Sequence, residues 1–222
     1  MVSSPWGVGP DMHNPKNSIM ILFGVILTIS LCLCAGCSDS LEAPDCECPY
    51  RPLQPLVQMN MTMGSIILEL DISRAPVSVG NFLEYVGTSF YDSTIFHRVL
   101  PGFVIQGGQY TQDLERKEAH DPIICESYNG LSNLRGTIAV ARSSSPNSGT
   151  CQFFINLKDN PSLDRQDDSM PGYAVFGRVI AGMDVVDSIG AVLTSTQQAP
   201  DGTFLYDVPA TPVIVLSVQR IK

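Results

Sequence analysis

Phe96-His97-Arg98-Val99-Leu100-Pro101-Gly102-Phe103-Val104-Ile105-Gln106-Gly107-Gly108 is the stretch on which the reading of this 222-residue chain turns. Two short apolar runs, Ile95 to Leu100 and Phe103 to Gln106, stand on either side of Pro101-Gly102, and Gly107-Gly108 closes the second. Runs this short, punctuated by Gly and Pro, read as strands. The pattern recurs downstream in Thr137 to Ala141, Gln152 to Leu157, Tyr173 to Ile180 and Pro212 to Ile221, each bounded by Gly, Pro, Asn, Asp or Ser. Upstream, Val57 to Met63 alternates, Gly64-Ser65 breaks the alternation and Ile66 to Leu70 resumes an apolar run. That is the pattern of a hairpin around a glycine turn.

Two helices are predicted. Pro76 suits a helix start, and Val79, Phe82, Leu83 and Val86 then fall on one helical face before Gly87. The second runs from Met183 to Ile189, with Asp184 in its first turn and Gly190 as its stop. Many short strands with two helices point to a sandwich or a closed barrel. The stretches 108–135 and 191–211 are long and polar, and read as loops with a binding role.

Composition narrows the function. There are 13 Lys+Arg against 22 Asp+Glu, a net charge of −9. That leaves no excess of positive charge to neutralise phosphates, which argues against nucleic acid as a partner. A hydrophobic fraction of 44 % can fill a core, so this is no disordered acidic chain. Seven cysteines are too few for a disulfide scaffold and have no zinc-site spacing. No metal and no cofactor are expected.

The N-terminal part reads as address and tether. Ile19 to Gly36 is an uncharged apolar run preceded by Lys16 as the one Lys or Arg, and Ala35-Gly36 stand directly before Cys37. This has the parts of an export signal and resembles the lipobox of bacterial lipoproteins, in which the cysteine is acylated. It departs from that pattern in carrying Cys34 three positions before Cys37, with Leu33 one step further away. An uncleaved anchor is an alternative, since 18 apolar residues are near the lower limit for spanning a bilayer, and ordinary secretion is another. All three put the rest of the chain outside the cytoplasm, anchored to a membrane in the first two cases. Loss of residues 1–36 removes Lys16 and Asp11 together, so the charge of −9 belongs to the exported part. Residues 37–56 carry four prolines after Cys37 and read as an extended extracytoplasmic tether. Cys46 and Cys48 lie in it; two thiolates alone make a weak metal site, and a disulfide or an exposed pair suits an oxidising compartment better.

Residues 57–222 carry a resemblance of high specificity. The opening stretch, Gln152-Phe153-Phe154-Ile155-Asn156 and Gly172-Tyr173-Ala174-Val175-Phe176-Gly177, in this order, are similar to the motifs of the cyclophilin-type peptidyl-prolyl cis–trans isomerases, the bacterial branch in particular. Ala75-Pro76, Asn81-Phe82, Asn129-Gly130-Leu131 and Arg135 to Arg142 support it. The resemblance implies a closed eight-stranded antiparallel β-barrel capped by two α-helices. It also implies a monomeric domain that accelerates rotation about X–Pro bonds in proline-containing peptides and folding exported proteins. A non-catalytic proline-peptide-binding chaperone module is the alternative; a bare grip on proline does not require the cation that Arg98 supplies.

The reaction makes and breaks no bond, so it calls for neither nucleophile nor metal. It calls for a donor aimed at the prolyl nitrogen and an apolar pocket for the ring. The resemblance nominates Arg98 as that donor, a rigid fork of N–H groups, with Gln106 holding the arginine or the substrate carbonyl. Phe103, Val104, Phe154, Leu163 and Tyr173 match the ring pocket, and the backbone at Ala141 and Arg142 matches the contact to the residue before proline. Asn147 is a weaker nomination. His97 is expected to pack or hydrogen-bond beneath the site, and Phe153 to face the core. Where animal cyclophilins carry a pocket-edge Trp this chain has Ser162 beside Leu163, and where they carry a pocket His it has Tyr173. Without the indole, weak cyclosporin binding is expected. Cys125 and Cys151 are readable as buried thiols or as a pair across the rim.

Overall fold

The computed structural model describes residues 53–221. The export segment 1–36, Cys37, Cys46, Cys48 and residues 37–52 of the tether lie outside them. The described chain runs β1 (Leu56–Met61), β2 (Gly64–Leu70), α1 (Pro76–Gly87), β3 (Arg98–Leu100), β4 (Val104–Gly107), β5 (Thr137–Val140), β6 (Phe153–Asn156), β7 (Val175–Ala181), α2 (Met183–Gly190), β8 (Thr194–Gln198), β9 (Phe204–Pro209) and β10 (Val215–Ile221). A 3-10 turn, Pro161–Leu163, lies between β6 and β7. The fold is mainly β with two helices, as the apolar periods predict.

The first hairpin shows how the pattern works. Val57, Met59 and Met61 are buried while Gln58 and Asn60 are half-exposed, and Val57 and Met59 pair with Leu68 and Ile66 of β2. The chain turns at Thr62-Met63, two residues earlier than the expected Gly64-Ser65. Gly64, at a φ of 134°, instead opens β2. A side chain there would meet Val185 Cγ2 at 2.8 Å, so the glycine is set by the close approach of α2.

The closed barrel is not what forms. Eight antiparallel strands, in the order β10-β1-β2-β7-β5-β6-β4-β3, curl round the core as an open half-barrel with β10 and β3 at its edges. The seam is stitched at one point. Ile95 bridges Ile214, and Ser93 N–H, Val215 N–H and Phe96 N–H donate to Val215, Thr94 and Val213 carbonyls at 2.8, 2.7 and 3.1 Å. Past it Ser93 sits at a φ of 64°, which takes the chain out of extended geometry at that end. The expected 191–211 loop is also corrected: it folds into the β8–β9 hairpin, a separate two-stranded sheet lying against β3. Its bulge between Ser195 and Gln197 and the positive φ of Asp207 break the alternation that would have shown it.

Inside the curl, Phe82 of α1 packs edge-on to Phe153 and tilted against Phe176, with ring centroids 5.8 and 5.3 Å apart. Beneath it Val57, Leu68, Ile105, Ile138 and Ile155 are fully buried. The 108–135 segment does stay without strands, and it holds α1 in place. That helix has no capping side chain of its own, since Ala75 precedes it. Glu126, 4 % exposed, caps it from the loop, accepting from Val77 N–H at 3.1 Å and from Ser78 N–H and Oγ at 2.7 Å each. A carboxylate satisfies the orphan donors and complements the helix dipole.

Glu126→Ala leaves three donors at a buried helix start without a partner. The expected loss is about 2 kcal/mol, read as a fall of roughly 4–8 °C in Tm for a domain of this size. Glu126→Gln, which keeps one acceptor oxygen, is expected to recover part of it. An unchanged melting temperature in the alanine variant would refute the cap.

Candidate functional site

The outer face of the sheet carries a row of side chains set by strand register. Arg98 on β3 stands opposite Gln106 on β4, Gln106 opposite Phe154 on β6, Phe154 opposite Ala139 on β5, and Ala139 opposite Val175 on β7. Directly opposed residues share a face, so the row runs from a cation through an amide to apolar groups. Val104, two residues before Gln106, joins the same face and is 3 % exposed. Gly108 secures the approach of β4 to the chain entering β6. At a φ of 98°, a side chain there would meet the Cys151 carbonyl at 2.8 Å and the Phe153 ring at 3.0 Å.

Three further pieces raise walls over this row. Phe103 leaves the Pro101-Gly102 turn, its N–H bonded to Leu100 O at 3.0 Å. Leu163 comes from the 3-10 turn, and its carbonyl accepts from Tyr173 N–H at 2.8 Å. The Tyr173 ring meets Phe154 edge-on at 5.4 Å, and the Arg142 guanidinium lies over its other side at 4.6 Å. Together these groups enclose a cavity of about 130 Å³. Its lining is Arg98, Phe103, Val104 and Gln106 on one side and Ala141, Arg142, Phe154, Leu163 and Tyr173 on the other. Liquid water occupies about 30 Å³ per molecule, so the space suits one side-chain ring and is too small for most cofactors.

Nine of the ten site residues nominated from the sequence therefore meet at one cavity. Arg98 Nη1 donates to Gln106 Oε1 at 3.3 Å, and no carboxylate pairs with Arg98 among the described residues. Arg142 is present through more than its backbone. Its Nε and Nη2 donate to Gly172 O at 2.9 and 2.8 Å, which ties the wall carrying Tyr173. The Ala141 N–H is committed to Gln152 O at 3.0 Å. Asn147 lies elsewhere, its Oδ1 accepting from Cys125 N–H at 2.9 Å as a loop brace. Gln152 was given no role from sequence, yet its Oε1 accepts from Gln106 Nε2 at 2.8 Å. Its position two residues before Phe154, on the same face of that chain, was the available signal.

His97 is 5 % exposed, tilted against Tyr110 with ring centroids 4.8 Å apart, and its Nδ1 has no hydrogen-bond partner. Burial, reinforced by the neighbouring Arg98 charge, lowers its pKa to about 4. Cys125 and Cys151 are both free thiols. The isolated Ile123–Gly149 bridge leaves Cys125 and Cys151 on opposite sides of it, and the two are not joined. Burial also pushes the Cys151 thiol up in pKa, away from thiolate. Among the described residues no cluster of His, Cys, Asp or Glu could hold a metal ion.

A larger hollow of about 460 Å³ lies further along the same outer face, among Glu69, Asp71, Arg74, Val175 and Arg178. Its charges satisfy each other, with Arg178–Glu69 at 2.8 Å and Arg74–Asp71 at 2.7 Å. It shares no residue with the smaller cavity, whose chemistry is the more specific.

Comparison with known proteins identifies the family. The family described as "Cyclophilin type peptidyl-prolyl cis-trans isomerase/CLD" matches residues 56–218. Peptidyl-prolyl cis-trans isomerase A of Dickeya dadantii is 46 % identical over 166 residues, covering 75 % of this chain and 84 % of that protein. Peptidyl-prolyl cis-trans isomerase B of Escherichia coli is 43 % identical over 165 residues, covering 73 % and 98 %. A cyclophilin-type isomerase of Cryptosporidium parvum has a similar solved fold, with a TM-score of 0.59 at 23 % identity over 76 % of this chain and 98 % of that one. With a family match over residues 56–218 and bacterial relatives this similar, the chain belongs to the cyclophilin-type peptidyl-prolyl cis–trans isomerases and is an enzyme of that kind.

Proposed function

We propose that this isomerase works by seating a proline ring among Phe103, Val104, Phe154, Leu163 and Tyr173 and directing an Arg98 N–H at the prolyl nitrogen. The observation that carries this is the cavity itself, apolar along one side, with an unneutralised guanidinium at its polar end. A peptide bond resists rotation because the nitrogen lone pair is delocalised into the carbonyl, at a barrier of about 18–20 kcal/mol. As the bond twists, the nitrogen pyramidalises and its lone pair becomes available to accept. A donor waiting there binds the twisted state better than either planar one, and that difference is the catalysis. Gln106 fixes the direction of the guanidinium through a neutral oxygen. The Ala141 N–H is engaged within the fold, so the Ala141 carbonyl and the Arg142 backbone remain to bind the residue before proline.

Arg98→Ala removes the donor and keeps the pocket. A loss of about 10²–10³-fold in kcat/KM is expected, measured by NMR exchange on a proline-containing peptide. A mutant as active as the wild type would end this reading.

No proton moves in the proposed step, and His97 stays neutral above its lowered pKa of about 4. The expected kcat/KM is flat between about pH 6 and 8, and the His97 ring titrates near 4 by NMR. Because the folded pKa lies below the unfolded value of about 6.5, the unfolded chain takes the proton first. Stability is then full above about 6.5 and falls as pH drops toward 4. A bell-shaped rate profile, or a His97 midpoint near its ordinary value, would contradict this.

The setting rests on the sequence alone. We infer that residues 1–36 are removed and Cys37 acylated, so that the enzyme serves exported polypeptides at a membrane surface. The intact mass of the native protein is expected to show a chain beginning at Cys37 with added lipid. A mass that retains residues 1–36, or lacks lipid, would exclude the lipoprotein.

A further inference from the structure

We infer that Gln109 is a positioning residue for Arg98, acting at a distance through a one-way line of side-chain amides. Arg98 Nη1 donates to Gln106 Oε1, Gln106 Nε2 to Gln152 Oε1 at 2.8 Å, Gln152 Nε2 to Gln109 Oε1 at 2.6 Å, and Gln109 Nε2 to Lys117 O at 3.1 Å. This inference rests on the reading of Arg98 as the donor to the prolyl nitrogen.

The two ends of the line decide its polarity. A guanidinium can only donate and a backbone carbonyl can only accept. Three amides between them can satisfy every bond in one orientation alone, with each oxygen turned toward Arg98. Reversing any one of them sets donor against donor. Aligned amide dipoles also polarise one another, which strengthens the last bond in the line. The anchor is firm. Gln109 is 1 % exposed, and its own carbonyl accepts from Lys117 N–H at 2.9 Å, so side chain and backbone grip the same residue. The Lys117 ammonium is bonded in turn to the Phe90 and Asp92 carbonyls.

The line does what a carboxylate would do for geometry without neutralising the cation. A buried apolar group at position 109 would free Gln152 to turn over, then Gln106, and Arg98 would lose its fixed direction while its charge and the proline pocket stayed in place.

The test is a cycle of Gln109→Met and Gln106→Met, each alone and together, with kcat and KM read by NMR exchange. Gln109→Met is expected to lower kcat about fivefold with KM unchanged, and to cause no further loss once Gln106→Met is present. Equal losses with and without Gln106, the additive outcome of independent sites, would overturn the inference. Wild-type protein gives a second reading that no folding defect can obscure. The side-chain amide protons of Gln109 and Gln152 are expected to exchange with solvent far more slowly than those of exposed Gln219; equally fast exchange would overturn it too. Full activity in Gln109→Met beside an inactive Arg98→Ala refutes the line alone, whereas full activity in Arg98→Ala refutes the reading beneath it.

Discussion

Two neighbouring phenylalanines that must face opposite ways hold this molecule together. In β6 the period of two sends Phe153 inward against Phe82, Tyr91 and Phe96, and Phe154 outward beside Tyr173. The sheet thus has two apolar faces, a large one that stabilises the fold and a small one that remains partly open. A slip of one residue in β6 would exchange them, filling the cavity with the wrong ring and leaving α1 without its edge-on partner. The β4–β6 register is therefore the common condition of core and site.

The cation follows from the same pleat. Arg98 is at the start of a three-residue edge strand, where a long side chain would ordinarily wander. In the line proposed above its direction is held from the Lys117 carbonyl in the 108–135 segment, through amides that bring no charge. In the proposed reaction this matters energetically. A carboxylate partner would compete with the prolyl nitrogen for the guanidinium, whereas a neutral acceptor orients it and leaves its field in the cavity.

Much of this was readable from the residues. The first hairpin, both helices and six apolar runs follow from period and punctuation, and the motifs bring nine residues to one cavity. The misses share a cause. The closed barrel failed at a seam interrupted by the left-handed backbone of Ser93, which no apolar period records. The β8–β9 hairpin was hidden by a bulge and by exposed Phe204 and Tyr206, which break inward–outward alternation. The caps and amide bonds supplied by Glu126, Gln152 and Gln109 are polar contacts between segments remote in sequence. Their residue types are common, and tertiary placement alone gives them meaning.

The same seam bears on how such an enzyme survives its own substrates. Polypeptides still awaiting proline isomerisation expose unpaired backbone, and any long bare strand invites them to add to the sheet. Here one edge strand is three residues long with the β8–β9 hairpin lying against it, and the entry to the other is occupied by residues 93–96. Stopping short of a closed barrel thus leaves its free template on β10 past Val215, at the other end of the strand order from the cavity. A passing chain is offered a pocket for one ring and only a short ladder beside it, and that favours turnover over capture.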